Sequence, residues 1–322
     1  MQKSLCNENN RNIVRDPVAG VMTRLNNLVV LNFKRVGNYF AILTCRNSQE
    51  NIRPALISIR DQLIKPEYVI VVNDGSSDKT KEIVEDMKKQ WSSLYLINNP
   101  DLGYDISRVV KNWNAAIRMA KEIGLKIDYH MIATDDTVYP IDYAEKIMLH
   151  MDINPSLAIA SGMYTRHKPV MPPGAGRFIR NSFFEGTTWK GYYPEQMGYE
   201  SVLLYEAMRC GYSYEVIIDA KFEHTRSLGK HHKFYEFGAS MRTLGYHPLF
   251  VFGRFLKYII TGQVTSRIGA VYMIFYYLSY APKIHGYDRM YDQDIRNYVR
   301  SIQIGRLKHA FLKIKGRILN KL

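Results

Sequence analysis

Apolar runs of four to six residues recur along the chain, and each ends abruptly in polar, turn-forming residues. Residues 39–44, 69–72, 94–97, 129–134 and 157–162 are apolar at nearly every position, as expected of strands covered on both faces. Between them the apolar spacing lengthens. Ile52, Leu56, Ile59 and Leu63 mark a helix over 51–62, and Ile83, Val84 and Met87 mark one over 79–90. Val109, Val110, Trp113, Ala116, Ile117 and Ala120 mark a third over about 107–123, and a fourth runs over about 142–151. Strand and helix in alternation predict an α/β fold with a mostly parallel sheet and right-handed crossovers. In such sheets the loops at the carboxyl ends of the strands bind ligands.

Three regions break the alternation. Residues 1–36 have no firm period and read as a variable lead-in. Residues 164–196 are rich in Pro, Gly, Arg and aromatics without clear periodicity, as befits a binding loop or lid. A helix over about 199–210 and a strand over 214–218 follow. From about 236 the chain becomes helical, aromatic and basic, so the division expected is 1–36, 37–235 and 236–322. Residues 250–260 and 270–281 are strongly apolar but fall short of the roughly 20 residues needed to span a bilayer. Arg254, Lys257 and Arg267 punctuate them, a pattern suited to helices lying in a membrane interface or packing against another subunit. The terminal helix, about 303–321, is also basic.

Charge sharpens this division. Of the net +14, the last 102 residues carry 18 Lys and Arg against 5 Asp and Glu. That is +13, so the basicity belongs to the tail and points to an anionic membrane surface. Nucleic acid is disfavoured, because the cations are interleaved with long aliphatic runs rather than with stacking partners in a groove. The three cysteines, Cys6, Cys45 and Cys210, fit neither a disulfide framework nor a zinc pattern. No apolar leader with a cleavage site precedes the first strand. The location expected is cytoplasmic, peripheral on the inner face of the cell membrane.

Candidate chemistry sits at the strand ends. Asn73-Asp74-Gly75-Ser76-Ser77-Asp78 follows the second strand, and its Asx and glycine residues favour a tight polar turn. Asp135 and Asp136 follow the 129–134 strand. Adjacent carboxylates are costly to hold together without a cation, and their oxygens suit Mg²⁺ or Mn²⁺. Arg177 and Arg180 could meet phosphate, Trp189 offers an aromatic face to a sugar, and Lys230 lies in a basic loop over 226–233 able to close on a diphosphate.

Taken together these motifs resemble family 2 glycosyltransferases, inverting enzymes of the GT-A fold. The Asn73–Asp78 turn is similar to the family's nucleotide-binding turn, in which Asp74 would accept a hydrogen bond from the base. Asp135-Asp136 looks like the Asp-x-Asp-type metal motif, with Asp135 facing the donor ribose and Asp136 the metal. Gly103, Arg108 and Trp113-Asn114-Ala115-Ala116 correspond to a family segment ending Arg-Asn-x-Gly, with longer spacing and alanine for the last glycine. Tyr199-Glu200 stands where the family has Glu-Asp, which makes Glu200 the catalytic base. His224 matches the histidine that completes the metal site or contacts the diphosphate. The resemblance covers roughly residues 38 to 235.

The resemblance implies a donor nucleoside diphosphate-sugar held by Thr44, Arg46, Asn47, Asp74, Arg108 and Asp135. It implies a Mn²⁺ or Mg²⁺ at Asp136 and His224, and a glycan or lipid-linked acceptor deprotonated by Glu200 in a single inverting displacement. A homo-oligomer is also compatible with the tail. A nucleotidyltransferase would normally open with a Gly-x-Gly-x-Arg loop, and Thr44-Cys45-Arg46-Asn47 contains none. A non-catalytic membrane or nucleic-acid binding protein would not require the three acidic stations.

Overall fold

The computed structural model describes residues 37–103, 105, 108–164, 171–226, 235–262, 266–281 and 290–319. The lead-in, Lys230 and most of the expected closing loop lie outside them. Eight strands, β1 (Tyr39–Cys45), β2 (Val69–Asp74), β3 (Leu94–Asn99), β4 (Tyr129–Thr134), β5 (Thr137–Val138), β6 (Leu157–Tyr164), β7 (Arg177–Arg180) and β8 (Ser213–His224), line up as β3-β2-β1-β4-β7-β6-β8-β5. Strands β3, β2, β1 and β4 are parallel, and Thr44 is level with both Val72 and Thr134. The residues after β1, β2 and β4 therefore leave the sheet along one edge.

The continuous apolar runs have a simple cause. Within β1, Ala41 and Leu43 pack into one hydrophobic layer while Phe40 and Ile42 pack into the other. Helices α1 (Ile52–Arg60), α2 (Thr80–Gln90) and α4 (Tyr143–Ile153) cover the first layer through Leu56, Val84 and Ile147. Helices α3 (Arg108–Ile123), α5 (Asn181–Gly186) and α6 (Tyr199–Arg209) cover the second through Trp113, Phe184 and Leu203. Phe178 is fully buried at the centre of the sheet, where truncation to alanine would cost about 3–5 kcal/mol.

Two elements depart from the sequence reading. The expected loop over 164–196 contains β7 and α5, and β7 runs antiparallel between β4 and β6. Four residues are too few to display a period. The strand expected over 214–218 extends to His224 as β8, with Ala220 and Phe222 buried between exposed Asp219, Lys221 and Glu223. That alternation is a strand signature in its own right. At its end β8 pairs with the two-residue β5, matching His224 to Thr137.

The tail forms α7 (Tyr235–Thr243), α8 (Pro248–Thr261), α9 (Arg267–Ser279) and α10 (Gln293–Leu319). The last begins ten residues earlier than its apolar spacing predicts. These helices attach to the sheet through α6: Val202 and Tyr205 share a third hydrophobic cluster with Met241, Val251, Met273 and Val299.

Candidate active site

The turn after β2 is built by its own side chains. Asn73 Oδ1 accepts from the Ser76 amide at 3.3 Å and the Ser76 hydroxyl at 2.5 Å. Gly75 has φ of 63°, and a Cβ there would sit 2.4 Å from Asp101 Cα, so no other residue fits without moving backbone. The loop after β1 locks onto this turn. Asn47, itself at φ 50°, donates its amide to Ser76 Oγ at 2.9 Å and accepts from the Ser77 amide at 2.9 Å. Left-handed backbone suits asparagine better than most side chains.

Asp74 lies against Arg108, with Nε 3.0 Å from Oδ1 and Nη2 3.1 Å from Oδ2. This bidentate pairing raises the pKa of the guanidinium and uses two of about four lone-pair sites on the carboxylate. The remaining lone pairs can still accept from a ligand. Arg46 donates to the Asp74 and Gly75 carbonyls and binds Asp101 Oδ1 at 2.7 Å, which draws the Asp101 carboxyl below its ordinary range. Thr44 is half-buried at the end of β1, between Val72 and Thr134.

One strand over, the Asp135 and Asp136 carboxylates are driven apart in acidity. Burial pushes Asp135 up to about 6, aided by the Asp136 charge and opposed by Arg226. Burial also raises Asp136, but the hydrogen bond and charge of His224, with the Thr134 hydroxyl and the Arg226 charge, together outweigh it and carry that carboxyl below its usual value. Ser48 donates its hydroxyl to Asp135, and Arg226 stands 3.9 Å away while donating to Ser48 Oγ at 2.8 Å. Two acids with separated acidities are the usual mark of a site with divided roles.

His224 reaches this point because of the β5–β8 pairing. Its Nδ1 is 3.3 Å from Asp136 Oδ1 and 3.1 Å from Thr137 Oγ1, and the Thr225 amide donates to the Asp136 carbonyl at 2.8 Å. Its Nε2 is buried without a hydrogen-bond partner, and the ring stacks on Tyr164 at 4.4 Å. Among the described residues no three His, Cys, Asp or Glu side chains gather to hold a metal ion. A carboxylate beside an imidazole nevertheless fits a divalent cation that takes its other ligands from water and phosphate.

Glu200 occupies the first turn of α6, which begins after Gly198 at φ 91°. The carboxylate lies over Gly174, where a Cβ would come within 2.6 Å of Oε1. Arg177, only 4% exposed, anchors the arrangement. It donates to the Pro172, Pro173 and Glu200 carbonyls at 2.8, 3.2 and 3.4 Å and lies 3.8 Å from Glu200 Oε2. Tyr164 lies within the fields of two acidic stations: burial first, then the Glu200 and Asp136 charges, push its phenol up to about 12.

The structure does not bring every expected residue here. Arg177, expected to meet phosphate, is engaged with backbone carbonyls and lies beside the Glu200 carboxylate. Arg180, expected beside it, lies at the opposite edge of the sheet. Because β7 is antiparallel, Arg180 pairs with Tyr129 at the amino end of β4, where its guanidinium donates to Tyr129 Oη at 3.0 Å and to the Met151, Asn154 and Leu157 carbonyls. Trp189 is half-buried between the second and third clusters, 6.4 Å from the Tyr291 ring, and borders an open cavity of about 570 Å³ with Arg118, Tyr192 and Glu195. Asn114 pins that segment, exchanging hydrogen bonds with the Tyr193 backbone at 2.9 and 2.8 Å. Ser48, Asp101 and Tyr164 were not anticipated, and Arg226, expected only as the start of the basic loop, meets Ser48 and Asp135. The alternation along β8 was a signal for the strand that delivers His224 and Arg226, but nothing local marked Ser48 or Tyr164.

Comparison with known proteins identifies the family and the fold. The profile of the family described as "Glycosyl transferase family 2" matches residues 40–210. The chain is 29% identical over 136 residues to a poly-beta-1,6-N-acetyl-D-glucosamine synthase of Staphylococcus epidermidis, covering 42% of this chain and 30% of that protein. It is 27% identical over 118 residues to an uncharacterized glycosyltransferase of Mycoplasma pneumoniae, covering 35% and 36% respectively. The match thus spans about a third of the length of these curated relatives. In fold it is similar to the mannosyltransferase PcManGT from Pyrobaculum calidifontis, solved with GDP-Man and Mn²⁺ (TM-score 0.51, 16% identity, 89% of this chain and 81% of that one). It is also similar to S. aureus TarS 1–349 solved with UDP-GlcNAc (TM-score 0.50, 16% identity, 64% of each).

Proposed function

The chain belongs to glycosyl transferase family 2, and from that premise we propose that it transfers a sugar, with inversion, from a nucleoside diphosphate-sugar to an acceptor hydroxyl. The observation that carries this reading is the Asp136–His224 pair, its imidazole stacked on Tyr164, a phenol whose acidity the Glu200 charge also shifts. The nucleotide lies along the ends of β2 and β1. Asp74 accepts from the base while Arg108 holds its carboxylate in place, and Asn47 and Arg46 keep the two loops in register. Asp135 faces the ribose.

Asp136 and His224 would hold a divalent cation, which would supply Lewis-acid neutralisation of the charge on the departing diphosphate. Glu200 takes the proton of the acceptor hydroxyl as that oxygen attacks the anomeric carbon from the opposite face. Arg177 fixes the backbone and carboxylate of Glu200, so the base meets the acceptor in one orientation. Gly174 leaves room for it. The acceptor is a glycan hydroxyl on a lipid-linked or cell-surface precursor, a reading supported by the basic, partly apolar C-terminal helices.

Donors named with the relatives, UDP-GlcNAc and GDP-Man, are the first to offer. Transfer should require Mn²⁺ or Mg²⁺ and cease with chelator. Asp136→Asn should lower turnover at least about 10²-fold, since the cation supplies several kcal/mol of transition-state stabilisation. The product anomer, read by NMR, should be opposite to that of the donor. Full activity in chelator would refute the cation at Asp136, and a retained anomeric configuration would refute the single displacement.

A further inference from the structure

Two packed helices of the tail, α8 and α9, each turn an apolar stripe to the surface. On α8, Phe252, Leu256 and Ile260 are 51%, 42% and 74% exposed, and on α9, Ile268, Phe275 and Leu278 are 70%, 58% and 69% exposed. Steps of three, four and seven place each set along one side of its helix. The other sides are buried: Val251 and Tyr258 of α8, and Ala270 and Met273 of α9, belong to the cluster shared with α6. These helices therefore have a satisfied inner face and a second apolar face that no described residue covers. Surface apolar stretches of this kind mark an interaction site.

We propose that this face seats in the interfacial layer of an anionic lipid bilayer, with α8 and α9 lying along its plane. Length excludes a crossing. At 14 and 13 residues the helices are about 20 Å long against a hydrocarbon core of about 30 Å, and no described helix is long and apolar enough to span. Charge selects the occupant. Exposed Lys257 and Arg267 stand beside the apolar stripes, Arg254 lies over the Tyr246 and Phe250 rings on the inner side, and neither helix contains a carboxylate. A symmetric contact with a second copy would set each cation-bearing face against itself with no acid on either helix to pair with. Anionic headgroups complement the same face, with the apolar side chains sunk just beneath them.

The placement matters because α6 joins the two regions. Its first turn carries Glu200, while its Val202 and Tyr205 pack in the cluster from which α8 and α9 project. Seating the helices would hold Glu200 at a set height over the lipid surface. The inference does not depend on the sugar-transfer reading, and its test uses neither donor nor acceptor.

The full chain is sedimented with phosphatidylcholine vesicles, with and without phosphatidylglycerol. We expect it to pellet with the anionic vesicles and to be released as salt rises. Ile260→Ser with Phe275→Ser should reduce the bound fraction at least about tenfold, and Lys257→Glu with Arg267→Glu should abolish the preference for phosphatidylglycerol. Both pairs are exposed, and an unchanged thermal transition verifies folding. Glu200→Gln should bind vesicles like the wild type, so loss of transfer and loss of membrane seating are read separately. Failure to pellet with either vesicle overturns the proposal. In that event light scattering identifies the occupant: a dimer dissolved by the serine pair means a second copy, and a monomer indifferent to it means coverage by another part of this chain. Equal binding to both vesicles overturns the selection by charge.

Discussion

The two ends of the parallel strands use the same residue types for opposite purposes. At the amino end, Arg180 is engaged with three backbone carbonyls and the Tyr129 hydroxyl. Tyr129 in turn donates to Asp152 at 2.5 Å, and Asp152 accepts the Gly37 amide at 3.1 Å. The network closes on itself. At the carboxyl end, Arg108, Arg46 and Arg226 each face an acid, yet Asp74 retains lone pairs, Asp135 is pushed up to about 6 and His224 Nε2 has no hydrogen-bond partner. Closed networks stiffen a fold, whereas incompletely satisfied ones at a strand edge are poised for a ligand. What separates the two is where each strand delivers its charged residues, since the composition is alike.

That contrast can be broken from either side. The largest effect is expected for Glu200→Gln, which should lower turnover by about 10²–10⁴-fold, the usual contribution of a general base, with the thermal transition unmoved. Next, Asp74→Ala should raise the donor KM by about tenfold while kcat changes little, since a charged hydrogen bond to the bound nucleotide is worth about 1.5–3 kcal/mol. Steady-state kinetics at varied donor concentration distinguish this from an effect on chemistry. Arg180→Met should do the reverse, lowering the melting temperature with kcat/KM per folded molecule preserved. Loss of activity at full stability would place Arg180 in the site after all.

The smallest effect sharpens the comparison by pH. His130 is fully buried near the amino end, with Nδ1 2.6 Å from Asn181 Oδ1 and Nε2 2.7 Å from the Tyr193 hydroxyl. Burial brings its pKa from 6.5 down to about 4. The unfolded chain therefore binds the proton more readily. The stability due to the neutral ring is complete above pH 6.5 and is lost as pH falls toward 4, by about 3 kcal/mol at most. Denaturant melts across that window should show the loss, and His130→Gln should flatten it.

Much of this molecule was legible in its residues. Apolar runs that stop before Cys45, Asn73 and Asp135 mark strand ends to within two residues, because turn formers follow a covered strand closely, and the last two of those ends hold Asp74, Asp135 and Asp136. Arg177 and Arg180 show where such inference stops. They sit three positions apart, about 10 Å along a strand, and the direction of β7 sends one to Glu200 and the other to the far edge. A four-residue strand has no period from which that direction could be read. Trp189 likewise reads as an aromatic face for a sugar, but tertiary packing sets it half-buried between two clusters, in a segment that Asn114 pins through the Tyr193 backbone. Ser48 meets Asp135 across 87 positions, a contact no local pattern encodes.

The pairing of β5 with β8 has a consequence for how the protein is made. Thr137 and His224 are also separated by 87 positions, and β8 is the last strand of the sheet to be synthesised. A chain emerging from the ribosome can form the turn after β2 early, but it cannot oppose Asp136 with an imidazole until residue 224 has cleared the exit tunnel and threaded back to the sheet's edge. Distant pairings form late because chain closure must precede their reward. Truncated or stalled products are thereby left without the imidazole beside Asp136.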